Sequence, residues 1–275
     1  MNNITFTILV YLGSLFGGFL GSLTGLGGGV VIVPMLTIFF GVDIRFAAGA
    51  SLIAVIATSS GAASAYVKEG YSNIRIGMFL EIATTIGAII GASIVAVVSP
   101  NLISIIFGLV LIYSATLTFL SRKEDNMQIK PDKNASFLKL NGRYPEGGIW
   151  KNYYTQKIPF GFGVCSFAGI LSGLLGIGGG AIKVIAMDRV MKIPFKVSTT
   201  TSNFMIGVTA VASAGIYFGN GFINTSLVMP VVLGVLTGAF AGAKVLSKAP
   251  AHWLKILFSS IIIVLAFEML KNGFK

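Results

Sequence analysis

The sequence predicts an all-α protein that crosses a membrane several times and consists of two related halves. First, 55% of its 275 residues are hydrophobic and only 11% are charged, whereas charged residues make up about 25% of an average soluble protein. Second, residues 1–42 and 197–243 contain no charged side chain, and each exceeds the roughly 20 apolar residues that one membrane span requires. Third, a glycine-rich motif occurs twice, as GLGGGVVIVP at 25–34 and GIGGGAIKVI at 176–185.

The two halves become visible when the chain is shifted along itself by 151 residues. Residues 16–92 then match residues 167–243 at 20 of 77 positions without a gap, and the glycine motifs fall in register. We therefore divide the chain into a first transmembrane repeat (1–120), a polar, basic cytoplasmic linker (121–158) and a second transmembrane repeat (159–275).

Each half contains the same predicted series of about four long helices and one half-helix. A long apolar helix leads to the glycine motif, a short apolar segment follows, and three helices of span length complete the half. The short segments, 29–41 and 180–192, contain 13 residues each and would extend less than about 20 Å, too little to cross a core of roughly 30 Å. The predicted long helices are 4–24, 46–66, 76–98 and 101–120 in the first half, and 160–175, 197–217, 226–247 and 253–270 in the second.

The distribution of positive charge predicts how the halves are oriented. If each short segment returns the chain to its starting side, each half crosses an odd number of times and the second half is inverted. With the linker in the cytoplasm, inverted halves place 16 Lys and Arg residues inside and 3 outside, whereas parallel halves give 12 and 7. Because cytoplasmic loops carry the excess of positive charge, the sequence predicts inverted repeats with both termini outside. Inverted repeats with broken helices are common in secondary transporters, which bind substrate near the membrane midplane.

The glycine motifs predict a break in a membrane helix. Each glycine costs about 1 kcal/mol relative to alanine in a helix interior, and unpaired backbone groups are tolerated in a membrane only where the break is buried or lines a cavity. We expect each helix to open there, so that the N–H groups of the following half-helix attract an anion. Close helix packing at small residues is the alternative. The candidate substrate-binding glycines are Gly27, Gly28, Gly29, Gly178, Gly179 and Gly180.

Two charged residues are predicted within the membrane. Lys183 lies about one turn into the second half-helix, where the first half has Ile32. Because a lysine at this depth is costly and usually lines a cavity or forms a pair, we interpret it as a fixed positive charge for an anionic substrate. The alternatives are a side chain that extends to the cytoplasmic surface, or a pair with Glu81. Glu81 is itself a candidate for proton coupling, with an interfacial salt bridge as its alternative.

Hydroxyl and amide side chains begin the next helix of the second half. The stretch KVSTTTSNF at 196–204 contains six such side chains in succession. We select Ser202 and Asn203 as candidate donors to an oxyanion, together with Ser51, which the repeat aligns with Ser202. Helix capping and bonding to backbone carbonyls are the alternative for these residues.

Several classes of protein are disfavoured by the sequence. A single cysteine, Cys165, allows neither an internal disulfide nor a multi-cysteine metal site. The chain has no Ser/His/Asp set, no HExxH and no P-loop, so we expect no enzymatic activity, cofactor or metal. Its net charge of +11 lies largely in loops, which does not point to nucleic acid. The first residues, Met-Asn-Asn, lack the positive start of a signal peptide, and we expect a retained span there.

The paired motifs GLGGGVVIVPML and GLLGIGGGAIKV, each opening one half of an apolar chain with a central polar loop, resemble those of the TauE/SafE family of sulfite-exporter-like permeases, also called TSUP. The resemblance covers nearly the whole chain outside 121–158. It implies a carrier of sulfur-containing anions such as sulfite, thiosulfate, sulfoacetate and other organosulfonates, with proton coupling in part of the family. Ile185 stands where the first half has Pro34, so the halves are not equivalent.

Taken together, the residues and the resemblance predict a secondary transporter of a small sulfur-containing anion in the cytoplasmic membrane, working by alternating access. An anion channel with the same site, or a membrane scaffold subunit that transports nothing, is the alternative. The expected partners are the small anion and membrane lipid, and a homodimer is left open.

Overall fold

The computed structural model describes residues 3–24, 28–68, 72–119, 132–146, 149–246 and 251–274. Most of them are helical, and the described residues include one two-stranded sheet, formed by β1 (Gly142–Glu146) and β2 (Ile149–Tyr153). The long helices are α1 (Asn3–Thr24), α3 (Ile44–Lys68), α4 (Ile74–Ile94), α5 (Pro100–Phe119), α7 (Ile158–Leu175), α9 (Phe195–Gly219), α10 (Thr225–Leu246) and α11 (Ala251–Gly273). The short helices are α2 (Gly29–Pro34), α6 (Lys133–Phe137) and α8 (Gly180–Ile185), and π-helical turns extend α2 over Met35–Phe39 and α8 over Ala186–Val190.

The helices have the length and surface of membrane spans. Five segments are long and apolar enough to cross a membrane by length and composition, namely Ile4–Gly21, Ile74–Ile94, Ile158–Leu175, Phe195–Gly219 and Thr225–Gly242. Large apolar side chains point outward from them and stay exposed, including Ile82 at 58% and Phe240 at 73%. Extended apolar surface of this kind fits a hydrocarbon environment rather than water. The prediction of an all-α polytopic membrane protein is confirmed.

Both short segments return the chain to the end at which the preceding long helix began. The carbonyl oxygen of Met191, just after the π turn behind α8, accepts a hydrogen bond of 2.9 Å from the amide of Gln156, just before α7. In the first half, Phe40 follows the π turn behind α2 and packs edge-on against Phe6 near the start of α1, with 5.5 Å between the ring centroids. Each long helix and its short segment therefore form a re-entrant hairpin.

Corresponding helices of the two halves run in opposite directions where they meet. Gly49 near the start of α3 lies against the carbonyl of Phe222, which follows the end of α9. Gly273 at the end of α11 lies against Asn101 near the start of α5. This is the relation expected of inverted halves. The side of the membrane that each helix end faces stays a prediction.

The outer helices of each half pack against a helix of the other half. In particular, α1 packs against α10, and α4 packs against α7. In these pairs Gly87 lies on the carbonyl of Ser166 and Gly238 lies on the carbonyl of Leu15, and the two contacts are related by the 151-residue shift. A Cβ atom at either glycine would overlap the facing oxygen. These glycines therefore serve close helix packing, as small residues commonly do in membranes.

The linker between the halves is partly folded, which the sequence did not predict. Tyr153, at the end of the β1–β2 hairpin, is buried, and its hydroxyl accepts a hydrogen bond of 2.6 Å from the side-chain amide of Asn73. The backbone N–H of Asn73 in turn donates to Thr201 Oγ1 at 3.0 Å. Burial raises the pKa of Tyr153 to about 12. The hairpin is thus anchored where α4 and α9 begin.

Candidate functional site

The described parts of the two glycine motifs meet inside the protein. Ser51 of α3 donates a hydrogen bond of 2.8 Å to the carbonyl oxygen of Gly176 in the second motif. A Cβ atom at Gly29, in the first motif, would lie 3.4 Å from the same oxygen. Ser51 and Gly29 are both buried. Gly27 lies outside the described residues.

The two breaks differ in backbone conformation. Gly176, Gly178 and Gly179 have φ angles of 71°, 72° and 66°, a left-handed region that glycine adopts without the strain a side chain would bring. Gly28, in the first motif, has a helical φ of −65° and ψ of −18°. The second motif is therefore the stronger interruption of the two among the described residues.

The half-helix behind the second motif is short. α8 spans six residues before the π turn, and the backbone N–H of Lys183 already donates to the carbonyl of Gly179 at 3.2 Å. The half-helix and the π turn behind it run from Gly180 to Val190, so the N–H groups at the start carry the partial positive charge of a helix end. Lys183 adds a basic side chain within one turn of this break.

Lys183 is fully buried, with a relative exposure of 0%. Its Nζ donates hydrogen bonds to Thr209 Oγ1 and, at 3.4 Å, to the carbonyl oxygen of Met205. Its Nζ also lies 3.9 Å from Glu81 Oε2. The alternative in which this side chain extends to the membrane surface is therefore wrong, and the alternative in which it pairs with Glu81 describes its position.

Glu81 is buried on α4 at a relative exposure of 5%. Its Oε1 accepts hydrogen bonds from Thr209 at 2.6 Å and from Thr85 at 3.2 Å. Its Oε2 has no hydrogen-bond partner among the described residues. The carboxylate lies inside the helix bundle and its cationic partner is itself buried, so the two form a buried pair, while its depth in the membrane stays a prediction.

Thr209 of α9 connects the two charged groups. Its oxygen accepts from the Lys183 ammonium, and its hydroxyl can donate either to Glu81 or to the carbonyl of Met205, which lies at 3.0 Å. Sequence analysis missed this residue as a site member, although the repeat aligns Thr209 with Thr58. Because Glu81 belongs to the first half and the other two to the second, this cluster joins the halves.

The other predicted donors bond to backbone in this structure. Ser202 donates to the carbonyl of Gly180 at 3.1 Å, and Ser51 donates to that of Gly176 as described above. Both hydroxyls thus bond to carbonyls at the second helix break. Asn203 is also buried, at a relative exposure of 6%. The structure places Ser51 and Ser202 at the second break and not on Lys183.

The charged pair has no equivalent in the symmetric position. The 151-residue shift aligns Lys183 with Ile32 and Glu81 with Val232, both apolar. Thr58, the counterpart of Thr209, donates to the carbonyl of Ala54 in its own helix at 3.1 Å. The polar cluster therefore has no counterpart at the positions that the repeat relates to it.

Metal-binding side chains do not cluster in the described part of the chain, where no three His, Cys, Asp or Glu residues lie together. Cys165 of α7 is buried as a free thiol and lies within electrostatic range of Lys183 and Glu81. The chemistry that these residues offer is charge pairing and hydrogen bonding.

A second ion pair lies at the end of the molecule opposite the linker. Arg45 contacts Asp43 through two side-chain hydrogen bonds of 3.1 and 2.8 Å, and its guanidinium lies 5.2 Å from the centre of the Phe222 ring. These bonds hold the pKa of the Asp43 carboxyl below its usual value. Arg45 is partly exposed near the start of α3, whereas Lys183 is fully buried behind a helix break, so Lys183 remains the better candidate for an anion.

Comparison with known proteins identifies the family. The sulfite exporter TauE/SafE family matches residues 10–269 of the chain. The chain belongs to this family. The match includes both glycine motifs, Glu81, Lys183 and the folded part of the linker, so the resemblance noted from the motifs is confirmed.

Relatives in the TauE/SafE family align over nearly their full length. The probable membrane transporter protein YunE of Bacillus subtilis is 28% identical over 98% of this chain and 99% of its own. YdhB of the same organism, also named a probable membrane transporter protein, is 26% identical over 90% and 92%. The corresponding protein MJ0441 of Methanocaldococcus jannaschii is 25% identical over 96% and 94%. No solved structure matches the chain.

Proposed function

We propose that this TauE/SafE protein is a secondary transporter that carries a small sulfur-containing anion across the cytoplasmic membrane. Membership of a sulfite exporter family and the names of its relatives support membrane transport. The proposed substrates are sulfite, thiosulfate, sulfoacetate or another organosulfonate. This range of substrates rests on the family resemblance.

The burial of Lys183 beside Glu81, behind a helix break, is the observation that carries the proposal. A charged side chain within a membrane is costly and usually marks a substrate or ion pathway. Lys183 stands one turn behind the left-handed helix break, and the glycines of both motifs lie nearby. An oxyanion at this break would meet the ammonium directly, and the hydroxyls of Ser51, Ser202 and the amide of Asn203 would be available if the break opened.

For alternating access we propose that the group of helices that holds the cluster moves against the group formed by α1, α3 and α10. Glu81 on α4 contacts Lys183 on α8 and Thr209 on α9, and α4 packs against both α7 and α9, so these helices from the two repeats form one group. Transporters built from inverted repeats work by rocking of this kind around a fixed site. Glu81 is the proposed proton-coupling group, because it is the buried carboxylate that faces the ammonium.

Binding can be tested with the purified full chain in detergent. We expect a thermal-shift panel of sulfite, thiosulfate, methanesulfonate, sulfoacetate and acetate to show stabilisation by at least one sulfur-containing anion, since a ligand that binds only the folded state raises its stability. Stabilisation by acetate alone would contradict the substrate class. Absence of stabilisation by every anion would favour the scaffold alternative.

Lys183→Met tests the role of the ammonium, and we expect it to abolish anion-dependent stabilisation and flux into liposomes. Losing one partner of a buried pair costs about 3–5 kcal/mol, so Lys183→Met alone risks misfolding. The double variant Lys183→Met/Glu81→Gln removes both charges and is expected to fold without binding the anion.

Lys271→Ala, which removes an exposed lysine paired with Glu268, is the matched control. Normal flux in the folded double variant would refute the proposal, and flux that scales with voltage without counter-transport would identify a channel.

A further inference from the structure

We propose that Glu81 and the substrate anion take turns as the partner of Lys183, and that Glu81 binds one proton whenever the anion is bound. The transporter would then carry singly charged anions together with one proton, without moving net charge. This inference rests on the proposed function, because it describes how the same site handles its anion.

The buried site is balanced in charge. Lys183 and Glu81 are the two ionisable side chains that carry charge among the buried residues of the described helices. Together they sum to zero. A buried charge without a counter-charge is strongly unfavourable. A monoanion that entered beside an ionised Glu81 would leave one uncompensated negative charge, whereas a monoanion beside a protonated Glu81 restores the balance.

The two charged groups do not form a direct hydrogen bond. The 3.9 Å between Lys183 Nζ and Glu81 Oε2 exceeds the roughly 2.7–2.9 Å of a charge-assisted hydrogen bond. Lys183 uses two of its three N–H donors on Thr209 and Met205, and the third has no hydrogen-bond acceptor among the described residues. The pair is therefore held together by charge and by Thr209, not by a direct hydrogen bond.

Glu81 Oε2 is the atom at which we place the proton. Oε1 already accepts from two threonines, while Oε2 is buried without a hydrogen-bond partner among the described residues. A protonated carboxyl becomes a donor, so it could give a hydrogen bond to an anion oxygen that a carboxylate would repel. The anion would then be held by an N–H of Lys183 and the O–H of Glu81.

The neighbouring helices offer no other group for this proton. The titratable groups that face Glu81 are Lys183 from α8 and Cys165 from α7, while α9 contributes the hydroxyl of Thr209. In this proposal Lys183 is the charged partner, and a thiol is protonated at neutral pH. Glu81 is thus the member of the described cluster that can take up a proton as the anion arrives.

The charge balance of the site also distinguishes sulfur-containing anions that carry one negative charge from those that carry two. One lysine and one protonated carboxyl offer a single positive charge, which a monoanion such as hydrogensulfite or methanesulfonate neutralises. A dianion such as thiosulfate or sulfoacetate would leave one negative charge uncompensated in the buried site. The site therefore fits singly charged oxyanions.

The test reconstitutes the full chain in liposomes that contain a pH-sensitive dye, with the membrane voltage clamped to zero. Methanesulfonate and thiosulfate are the main probes, because they keep one and two negative charges at neutral pH, and sulfite is measured alongside. We expect methanesulfonate to enter with one proton per anion and with no sustained current, and thiosulfate to enter at least about tenfold more slowly. With one proton per anion, a gradient of one pH unit drives about tenfold accumulation.

Glu81→Gln separates coupling from binding, because glutamine resembles the protonated carboxyl. We expect this variant to exchange methanesulfonate across the membrane but to lose acidification of the lumen and the accumulation driven by the pH gradient. Glu268→Gln is the matched control, since Glu268 pairs with Lys271 outside the cluster, and it should behave as the wild type does. The wild-type measurements decide the stoichiometry even if Glu81→Gln does not fold.

The outcomes separate this inference from the function on which it rests. A sustained current during anion uptake, a preference for thiosulfate, or proton uptake that persists in a folded Glu81→Gln variant would overturn the exchange while leaving anion transport intact. If none of the three anions moves through the wild-type protein, the proposed function fails and the exchange fails with it.

Discussion

In the described part of the chain, Thr209 is the residue whose side chain bonds to both charged groups of the buried cluster. It accepts a hydrogen bond from Lys183 and donates one of 2.6 Å to Glu81. The partner of a threonine in a membrane helix is set by what the neighbouring helices place beside it. A sequence therefore shows that a hydroxyl is present, while the structure shows that this one bridges an ammonium and a carboxylate.

Thr209→Val tests this bridge, because valine keeps the shape and removes the hydroxyl. Each buried polar group left without its partner costs about 1–3 kcal/mol, so we expect a clear fall in the thermal stability of the purified protein. Thr58→Val is the matched control, since Thr58 occupies the same place in the repeat and bonds only to backbone carbonyls within its own helix. Equal shifts in the two variants would show that the bridge contributes no stability.

The candidate residues chosen from sequence divide into two groups by the partners that the structure gives them. Lys183 and Glu81 stood out because charge is rare in apolar helices, and both lie in the cluster. Ser51 and Ser202 were chosen as donors to an anion, but in this structure they bond to carbonyls at the second helix break. The difference arises because an ionised group must find a counter-charge in a membrane, whereas a hydroxyl is satisfied by any nearby carbonyl.

At the scale of elements, the long helices follow from the length of their apolar stretches, and the short segments follow from being too short to span. The β1–β2 hairpin could not be read from sequence in the same way. Its strands, GRYPE and IWKNY, have no simple apolar alternation. The hairpin is held by tertiary contacts, in which Tyr153 is buried and bonded to Asn73.

Because of Tyr153, we expect the docking of this hairpin to weaken at alkaline pH. The pKa of Tyr153 is raised to about 12 by burial, above an ordinary value of about 10. A raised pKa means that the neutral form is favoured in the docked state, so docking is at full strength below pH of about 10 and weakens as the pH rises towards 12. We expect the fluorescence of Trp150 on β2, measured in a Trp253→Phe background, to change over this range.

Tyr153→Phe should remove this alkaline transition, because phenylalanine has no proton to lose. Tyr154→Phe is the neighbouring control, since Tyr154 is 37% exposed, and it should retain the transition. A transition that survives in Tyr153→Phe would assign it to another group.

At the scale of the whole molecule, the re-entrant hairpins and the antiparallel pairing of α3 with α9 make a definite prediction about sidedness. With inverted halves, the turn between α9 and α10 lies on the membrane face opposite the linker. With parallel halves it lies on the same face. Asn220 marks that turn and Trp150 marks the linker hairpin, and both are exposed.

Single cysteines at these two positions, introduced in a Cys165→Ser background, measure the sidedness directly. We expect a membrane-impermeant maleimide added to intact cells to label Asn220→Cys, and to label Trp150→Cys only after the cells are opened. Labelling of both positions from the same side would contradict the inverted arrangement and the charge distribution that predicts it.

The sequence alone determined that this protein lies in a membrane, that the same glycine motif occurs in two matching stretches of the chain, and that one lysine stands behind the second motif. These properties can be read from composition and spacing. A membrane span requires a long apolar stretch, whereas glycine runs and isolated charges are costly in a membrane helix. Only the tertiary structure decided that Lys183 faces Glu81 and Thr209 rather than the surface. That outcome depends on how α4, α8 and α9 come together from different halves, because a buried charge is stabilised by whichever partner the packing brings within reach.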